Sequence, residues 1–287
     1  MRLRALLALA TACSAAACFS FGDLSGGGDD STSSDSGDDS TGDVDGQATG
    51  RDSSAGDAAP DSGSATAPFC LGDLDATFCA DFDESMDAMA GFTSLYVSDG
   101  GVLGLDGEYT STPRAFFSGN STLASGTSAH AAIVRVTGAT PAKTMTLDFD
   151  VRVDSLDPAN KTIEALAIVN NSSTRSSLQM NLRSTSSEVG EEIVALDGGV
   201  TYAPHVFSKP LPIAAYAHVE IVVQRGSLIL QPSTLTVLVS GEAMVDHVNM
   251  SNSFVFGTVD LYVGNAYSPG ASSGSKIHYD NVSLTVE

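Results

Sequence analysis

Tryptophan is absent from the 287 residues, and lysine and arginine together number 13 against 35 aspartates and glutamates. The resulting net charge of −22 excludes nucleic acid as a partner, because phosphate recognition draws on a surplus of cations. No apolar run approaches the roughly 20 residues of a membrane-spanning helix. Cysteine is scarce too, with Cys13, Cys18, Cys70 and Cys79 the only ones. Neither these nor His130, His205, His218, His247 and His278 show metal-ligand spacing, which excludes a zinc site. The histidines at 218 and 278 fall in strand-like runs and are expected to be packed or at a sheet edge. Sugars are commonly held on aromatic plates, so the lack of tryptophan counts against a lectin. Tyr96, Tyr109, Tyr202, Tyr262 and Tyr267 remain as aromatic candidates, each also suited to a half-buried strand position.

What is present begins at the amino end. Arg2 and Arg4 precede the apolar run Ala5 to Ala12, and Ala15-Ala16-Ala17 ends at Cys18. That order is the pattern of a secretory signal peptide. With cysteine directly after the small residues, it resembles a bacterial lipoprotein signal. The resemblance implies removal of residues 1–17 and diacylation of Cys18, which then anchors the chain to a membrane surface. Cys13 is the alternative, although it leaves an apolar core near the minimum of roughly 7 residues. Two acyl chains hold stably where one does not. Phe19 stands where an Asp would resemble an inner-membrane retention signal, so the outer membrane is expected in a cell with two membranes.

Residues 18–67 are expected to be a tether rather than a domain. From Phe19 to Ala67 the chain carries eleven Asp and one Arg, and its large apolar residues are Phe19, Phe21, Leu24 and Val44. So little apolar surface cannot offset the entropy of ordering the segment. Its mean reach is on the order of 40 Å before self-repulsion stretches it. The Asp clusters lack the spacing of an EF-hand loop.

Residues 68–287 carry 24 acidic and 10 basic residues and are enough for one domain with a sizeable core. Cys70 and Cys79 open it. In an exported protein two nearby cysteines are expected to form a disulfide, which stabilises by roughly 2–3 kcal/mol for so short a loop. The rest alternates between apolar and polar residues. Met145 to Val153 is a near-perfect period-two strand, with Thr146, Asp148, Asp150 and Arg152 on its polar side. Further strand runs are Ala129–Val136, Ile163–Val169, Leu178–Leu182, Ile193–Leu196, His218–Gln224, Thr234–Val239, Thr258–Val263 and Ile277–Val286. Many evenly spaced strands with turn signals predict an all-β sandwich.

Tyr216-Ala-His-Val, Leu235 to Gly241, Val259 to Gly264 and His278-Tyr-Asp-Asn-Val follow one another in an order that resembles the concanavalin A-like and laminin G-like jelly rolls. Phe78-Cys-Ala-Asp-Phe-Asp-Glu84 resembles the first strand of such domains, which pairs with the last. Tyr216 departs from the pattern, since many relatives have Trp there. The resemblance covers about Phe69 to Glu287 and implies a jelly-roll β-sandwich. It also implies one structural calcium between the first and last strands, with Asp280 as a ligand and Asp81 or Asp83 facing it; backbone carbonyls supply part of the six to eight oxygens that calcium takes.

The fold hosts glycosidases, lectins and adhesion modules, so function must be argued from sites. Laminarinase-like glycosidases carry Glu-x-Asp-x-(x)-Glu on one strand, where alternation sets the carboxylates beside the sugar. Glu188-Val-Gly-Glu-Glu192 is the nearest segment, and it has Gly190 where the central acid belongs. Asp148 and Asp150 share a face with no acid partner in reach. Gly270-Ala-Ser-Ser-Gly274 matches Gly-x-Ser-x-Gly, but it leads into a strand rather than a helix, so it is a loop and no nucleophile elbow. The sequence therefore reads as a surface-anchored, non-enzymatic binding or adhesion module for a glycan or protein. A glycoside hydrolase of the laminarinase type, or a degenerate relative, is the alternative.

Overall fold

The structure is a computed structural model, and it describes residues 69–72, 75–83, 86–98, 100–107, 114–137, 143–170, 175–194, 198–226, 231–250, 258–270 and 273–287. The signal segment, Cys13, Cys18, the acidic tether and Tyr109 lie outside the described residues. The alternating sequence folds as expected into two antiparallel sheets packed face to face, a jelly-roll sandwich. Sheet A runs β13 (Glu242–Asn249), β12 (Thr234–Val239), β11 (Tyr216–Gln224), β6 (Thr144–Ser155), β15 (Ser275–Val286), β4 (Ala115–Asn120), β3 (Gly101–Asp106). Sheet B runs β10 (Val200–Val206), β9 (Ser187–Val194), β8 (Arg175–Leu182), β7 (Ile163–Asn170), β14 (Val259–Pro269), β5 (Ser128–Thr137), β2 (Ser94–Val97).

β6 shows why the sheets pack. Met145, Leu147, Phe149, Val151 and Val153 are buried on alternate positions, facing the inner side of sheet B. Leu178, Met180, Leu182, Leu261 and Val263 meet them there, all at most 1 % exposed. Each buried side chain of this size stabilises by about 1.5–3 kcal/mol. Ser240 and Gly241, at φ 50° and 80°, turn β12 into β13, the left-handed pair that a tight hairpin with matching twist requires.

β1 (Phe78–Ala80) pairs with the last strand as expected, Phe78 opposite Leu284 and Ala80 opposite Val282. Cys70, on the helical turn α1 (Phe69–Gly72), is bonded to Cys79 on β1. The bridge pins that turn to β1, which is itself paired with β15 inside sheet A. Replacing both cysteines with serine is expected to lower stability by about 2–3 kcal/mol, read as an earlier midpoint in urea unfolding. An unchanged midpoint would show that β1 and β15 hold the turn without the bridge.

His278 and His218 lie in strands of sheet A. His278 is fully buried, 3.2 Å from Asp106 and 2.9 Å from Asp154. His218 is exposed, with Nδ1 2.9 Å from Asp150. Gly274 runs directly into β15, as a loop would, while Ala271 and Ser272 lie outside the described residues.

Candidate functional site

Alternation turns half of each sheet B strand away from the core, and the register stacks those residues into rows that cross the strands. One row reads Glu188, Asn181, Glu164 and Tyr267 on β9, β8, β7 and β14. The next reads Gly190, Gln179, Ala167, Tyr262 and Val134. Ala132, Val134, Ala167, Val169, Tyr262 and Ala266 form a second apolar cluster, apart from the core, on which Tyr96 packs. The polar row and this apolar strip run side by side across the outer face of sheet B, and together they are the candidate substrate groove.

β14 does not stop at Gly264, where the sequence suggested its end. It continues through a bulge to Pro269, with register shifts between Asn265 and Ser268 and between Val263 and Tyr267. Gly264 sits at φ 115°, and a Cβ there would lie 2.6 Å from the Ala131 carbonyl, so only glycine fits. The bulge sends Asn265 and Ser268 inward, both fully buried, and leaves Ala266 and Tyr267 on the groove side. Bulges re-aim side chains in this way beside functional sites. Behind it, the Asn120 side-chain oxygen on β4 accepts from Ser268 Oγ at 3.0 Å, Ser275 Oγ at 2.6 Å and Asn265 Nδ2 at 3.4 Å. Ser118 Oγ donates to the Ala131 carbonyl and accepts from the Asn265 N–H.

His130, on β5, points into the groove beside the bulge. Its Nδ1 is 2.5 Å from the Ala266 carbonyl oxygen. A carbonyl only accepts, so Nδ1 carries the hydrogen and Nε2 is the basic nitrogen. Tyr96 OH lies 3.4 Å from Nε2, with ring centroids 4.4 Å apart. The Tyr267 ring stands 5.9 Å away on the other side. Burial, and then the neighbouring Glu164 carboxylate, push the Tyr267 phenol above its ordinary value, so it keeps its proton. The site thus presents a basic imidazole nitrogen beside a phenol that remains an acid.

The far end of the groove is also organised. The Tyr202 ring lies over Gly190, where an added Cβ would be 2.1 Å from the phenol oxygen. Asn181 Nδ2 donates to that oxygen at 2.6 Å, and the phenol donates to Glu188 Oε1 at 2.7 Å. Burial, followed by the Glu188 bond, raises the phenol well above its usual range. Arg183 is 3.7 Å from Glu188, and Gln179 Nε2 donates to Ser177 Oγ.

The other residues singled out from sequence are elsewhere or otherwise engaged. Glu188 and Glu192 share a face four residues apart, about 13 Å at the usual strand rise, too far for the carboxylate pair of a glycosidase, which needs about 5–9.5 Å. Glu191 turns inward to His205, 2.6 Å away. Asp148 and Asp150 are on sheet A, where Asp150 accepts from Asn281. Asp81 accepts from the Phe69 and Asp83 N–H groups, Asp83 from Arg114 N–H, and Asp280 from Asn281 N–H. Among the described residues no three His, Cys, Asp or Glu side chains are grouped to hold a metal. Glu164, Asn181 and the pairing of His130 with Tyr267 were missed from sequence. The available signal was polar and aromatic residues at the outward positions of β5, β7 and β8.

No family model and no curated protein matches the chain. Solved structures do. The endo-beta-1,4-glucuronan lyase of the fungus Trichoderma reesei has TM-score 0.58 at 11 % identity, over 74 % of this chain and 96 % of that one. An alginate lyase from Aplysia kurodai has 0.48 at 10 %, over 74 % and 99 %. The alginate lyase vAL-1 from a Chlorella virus has 0.46 at 12 %, over 64 % and 89 %. The expectation of a non-enzyme is corrected by the first of these: the sandwich shares its fold with a polysaccharide lyase along nearly that protein's whole length, so the fold gives no ground for excluding an enzyme. Paired carboxylates on one strand serve hydrolysis, and elimination has no need of them.

Proposed function

We propose that the sandwich domain cleaves a uronate-bearing polysaccharide by β-elimination, with the groove across sheet B as its active site. The observation that carries this is His130, whose Nδ1–H on the Ala266 carbonyl leaves Nε2 as the proton acceptor, 3.4 Å from the Tyr96 hydroxyl, with the Tyr267 ring 5.9 Å away. Elimination takes the proton on the carbon next to the sugar carboxyl and expels the glycosidic oxygen from the adjacent carbon. Nε2 receives the proton, the C–O bond breaks, a carbon–carbon double bond forms, and the Tyr267 hydroxyl protonates the leaving oxygen. Tyr96, packed against the imidazole, holds its plane. Asn181 spends one N–H on Tyr202 and has a second for the sugar carboxylate. The likeness to a glucuronan lyase supports the substrate class.

The test is incubation of the full chain with glucuronate- and mannuronate-containing polysaccharides, reading the ultraviolet absorbance of the new double bond conjugated to the carboxylate. Absorbance that rises with time supports elimination; none on any uronate polymer overturns it. New reducing ends without that absorbance mean hydrolysis. Glu164 and Glu188, which flank Asn181 on β7 and β9, would then be the pair, about 9.6 Å apart by strand spacing, at the upper end of the inverting range of about 6.5–9.5 Å.

We also propose that the domain works outside the cell, tethered through acylated Cys18, with residues 18–67 setting its reach. This rests on Arg2, Arg4, the apolar run and Ala15-Ala16-Ala17 before the cysteine. Cys18→Ser is expected to move the protein from the membrane fraction to the soluble fraction, while Cys13→Ser leaves it on the membrane. The reverse result would assign the anchor to Cys13. Calcium at the β1–β15 junction is likewise a proposal, resting on Asp81 following the strand that pairs with β15; a rise in Tm on adding calcium, lost in Asp280→Asn, is its check.

A further inference from the structure

The groove extends well past the reacting pair, and its far end is built like a plate. Tyr202 is on the edge strand β10, 41 % exposed. Gly190 beneath it leaves room for the ring to lie on the sheet. Asn181 and Glu188 fix the phenol oxygen from opposite roles, one donating and one accepting. An exposed aromatic ring held in one orientation loses little entropy when a ligand lies on it. Glu188 is under the phenol, and Glu192 faces Tyr202 across the register. Arg183 offsets only one of the two carboxylates, so the net negative charge there repels a negatively charged sugar, while the apolar ring face accepts the C–H face of an uncharged one.

We propose that Tyr202 on Gly190 is a subsite for a neutral pyranose, so that the substrate mixes neutral sugars with uronates instead of carrying a charge on every unit. The inference rests on the reading of sheet B as the substrate face. From Gly190 on β9 to His130 on β5 is four strand spacings, about 19 Å. A disaccharide falls short of both His130 and Tyr202, whereas a longer stretch of polymer reaches them together. The reaction is therefore internal to a chain, and the substrate must present a neutral unit some sugars from the uronate that is cleaved. A domain with 24 acidic and 10 basic residues agrees with a substrate of low charge density.

The experiment is calorimetric titration of the full chain with a neutral β-1,4-glucose hexasaccharide and with a β-1,4-glucuronate hexasaccharide, at low salt. The neutral ligand is expected to bind. Tyr202→Ala should weaken it about tenfold, or about 1.4 kcal/mol, and Tyr202→Phe should keep most of the affinity because the ring remains. Gly190→Ala should weaken it as well, since its Cβ takes the space of the ring. Circular dichroism of each variant excludes unfolding. Equal affinity of wild type and Tyr202→Ala, or equally tight and Tyr202-dependent binding of the glucuronate ligand, overturns the subsite. Elimination that persists without Tyr202-dependent binding leaves the lyase reading standing alone. Tyr202-dependent binding without elimination on any polymer removes the lyase reading and keeps the subsite.

Discussion

Replacing His130 with asparagine is expected to lower the rate of elimination by about 10²- to 10⁴-fold, the usual contribution of a positioned general base. The asparagine amide stands at the place of Nδ1 and can still donate to the Ala266 carbonyl, so the bulge keeps that partner and the fold should survive, as a thermal melt would show. What is lost is the basic Nε2 atom. Tyr267→Phe removes the acid instead, and its cost depends on the leaving group: large for a sugar alkoxide, small for a better leaving group such as an aryl glycoside. That contrast separates proton donation from packing, because a merely structural tyrosine would slow both substrates alike. The pH profile carries a second signature. The Tyr267 phenol is raised by burial and by Glu164, so the fall of activity on its deprotonation lies above the ordinary tyrosine value of about 10. Glu164→Gln removes the neighbouring negative charge and should bring that limb down, while burial, the larger cause, still holds it above the ordinary value. If His130→Asn and Tyr267→Phe both retain wild-type rates, the groove is not the site of chemistry.

The sandwich was legible where a strand has one wet and one dry face. β6 is the clearest case, since Met145 to Val153 alternate in sequence and are alternately buried. Pairing of the first and last strands was implied by the jelly-roll resemblance, and the Cys70–Cys79 bridge followed from proximity. β4 escaped because Ala115, Phe116, Ser118, Gly119 and Asn120 are buried from both sides, which erases the period. β10 escaped because Pro204 interrupts it, a residue tolerated on an edge strand. β9 was placed at Ile193–Leu196, but it runs Ser187–Val194, because Glu191 is turned inward and satisfied by His205. The site was harder still. His130, Glu164, Asn181 and Tyr267 are on four strands far apart in sequence, and only the strand order of sheet B makes them neighbours. Gly264 looked like a strand end, since a glycine commonly is one. Here it is the first residue of the bulge that delivers Tyr267. Gly190, noted as the gap in an acidic motif, is what lets the Tyr202 ring lie flat.

Asn120→Ala is expected to destabilise the domain by about 3 kcal/mol, because three buried donors lose one shared acceptor and an unsatisfied buried group costs about 1–3 kcal/mol. For a domain of this size that is a fall in Tm of about 6–12 °C. Ser275→Ala, which removes a single donor and leaves the acceptor to Ser268 and Asn265, should cost about 1 kcal/mol. The two differ because Asn120 belongs to β4 of sheet A while Ser268 and Asn265 belong to the β14 bulge of sheet B. Its carboxamide is the strut that holds the bulge against the opposite sheet. Loosening it frees the segment carrying Ala266 and Tyr267, so the Nδ1 bond of His130 and the spacing of the two rings go with it. Tyr202 is on β10, four strands from β14, on a plate that β8, β9 and β10 build by themselves. Well below its own Tm, the Asn120→Ala variant should therefore lose kcat for elimination while binding the neutral hexasaccharide as the wild type does. Equal loss of both would mean that the knot supports the sandwich as a whole. Loss of neither would mean that β14 holds its bulge through backbone pairing alone.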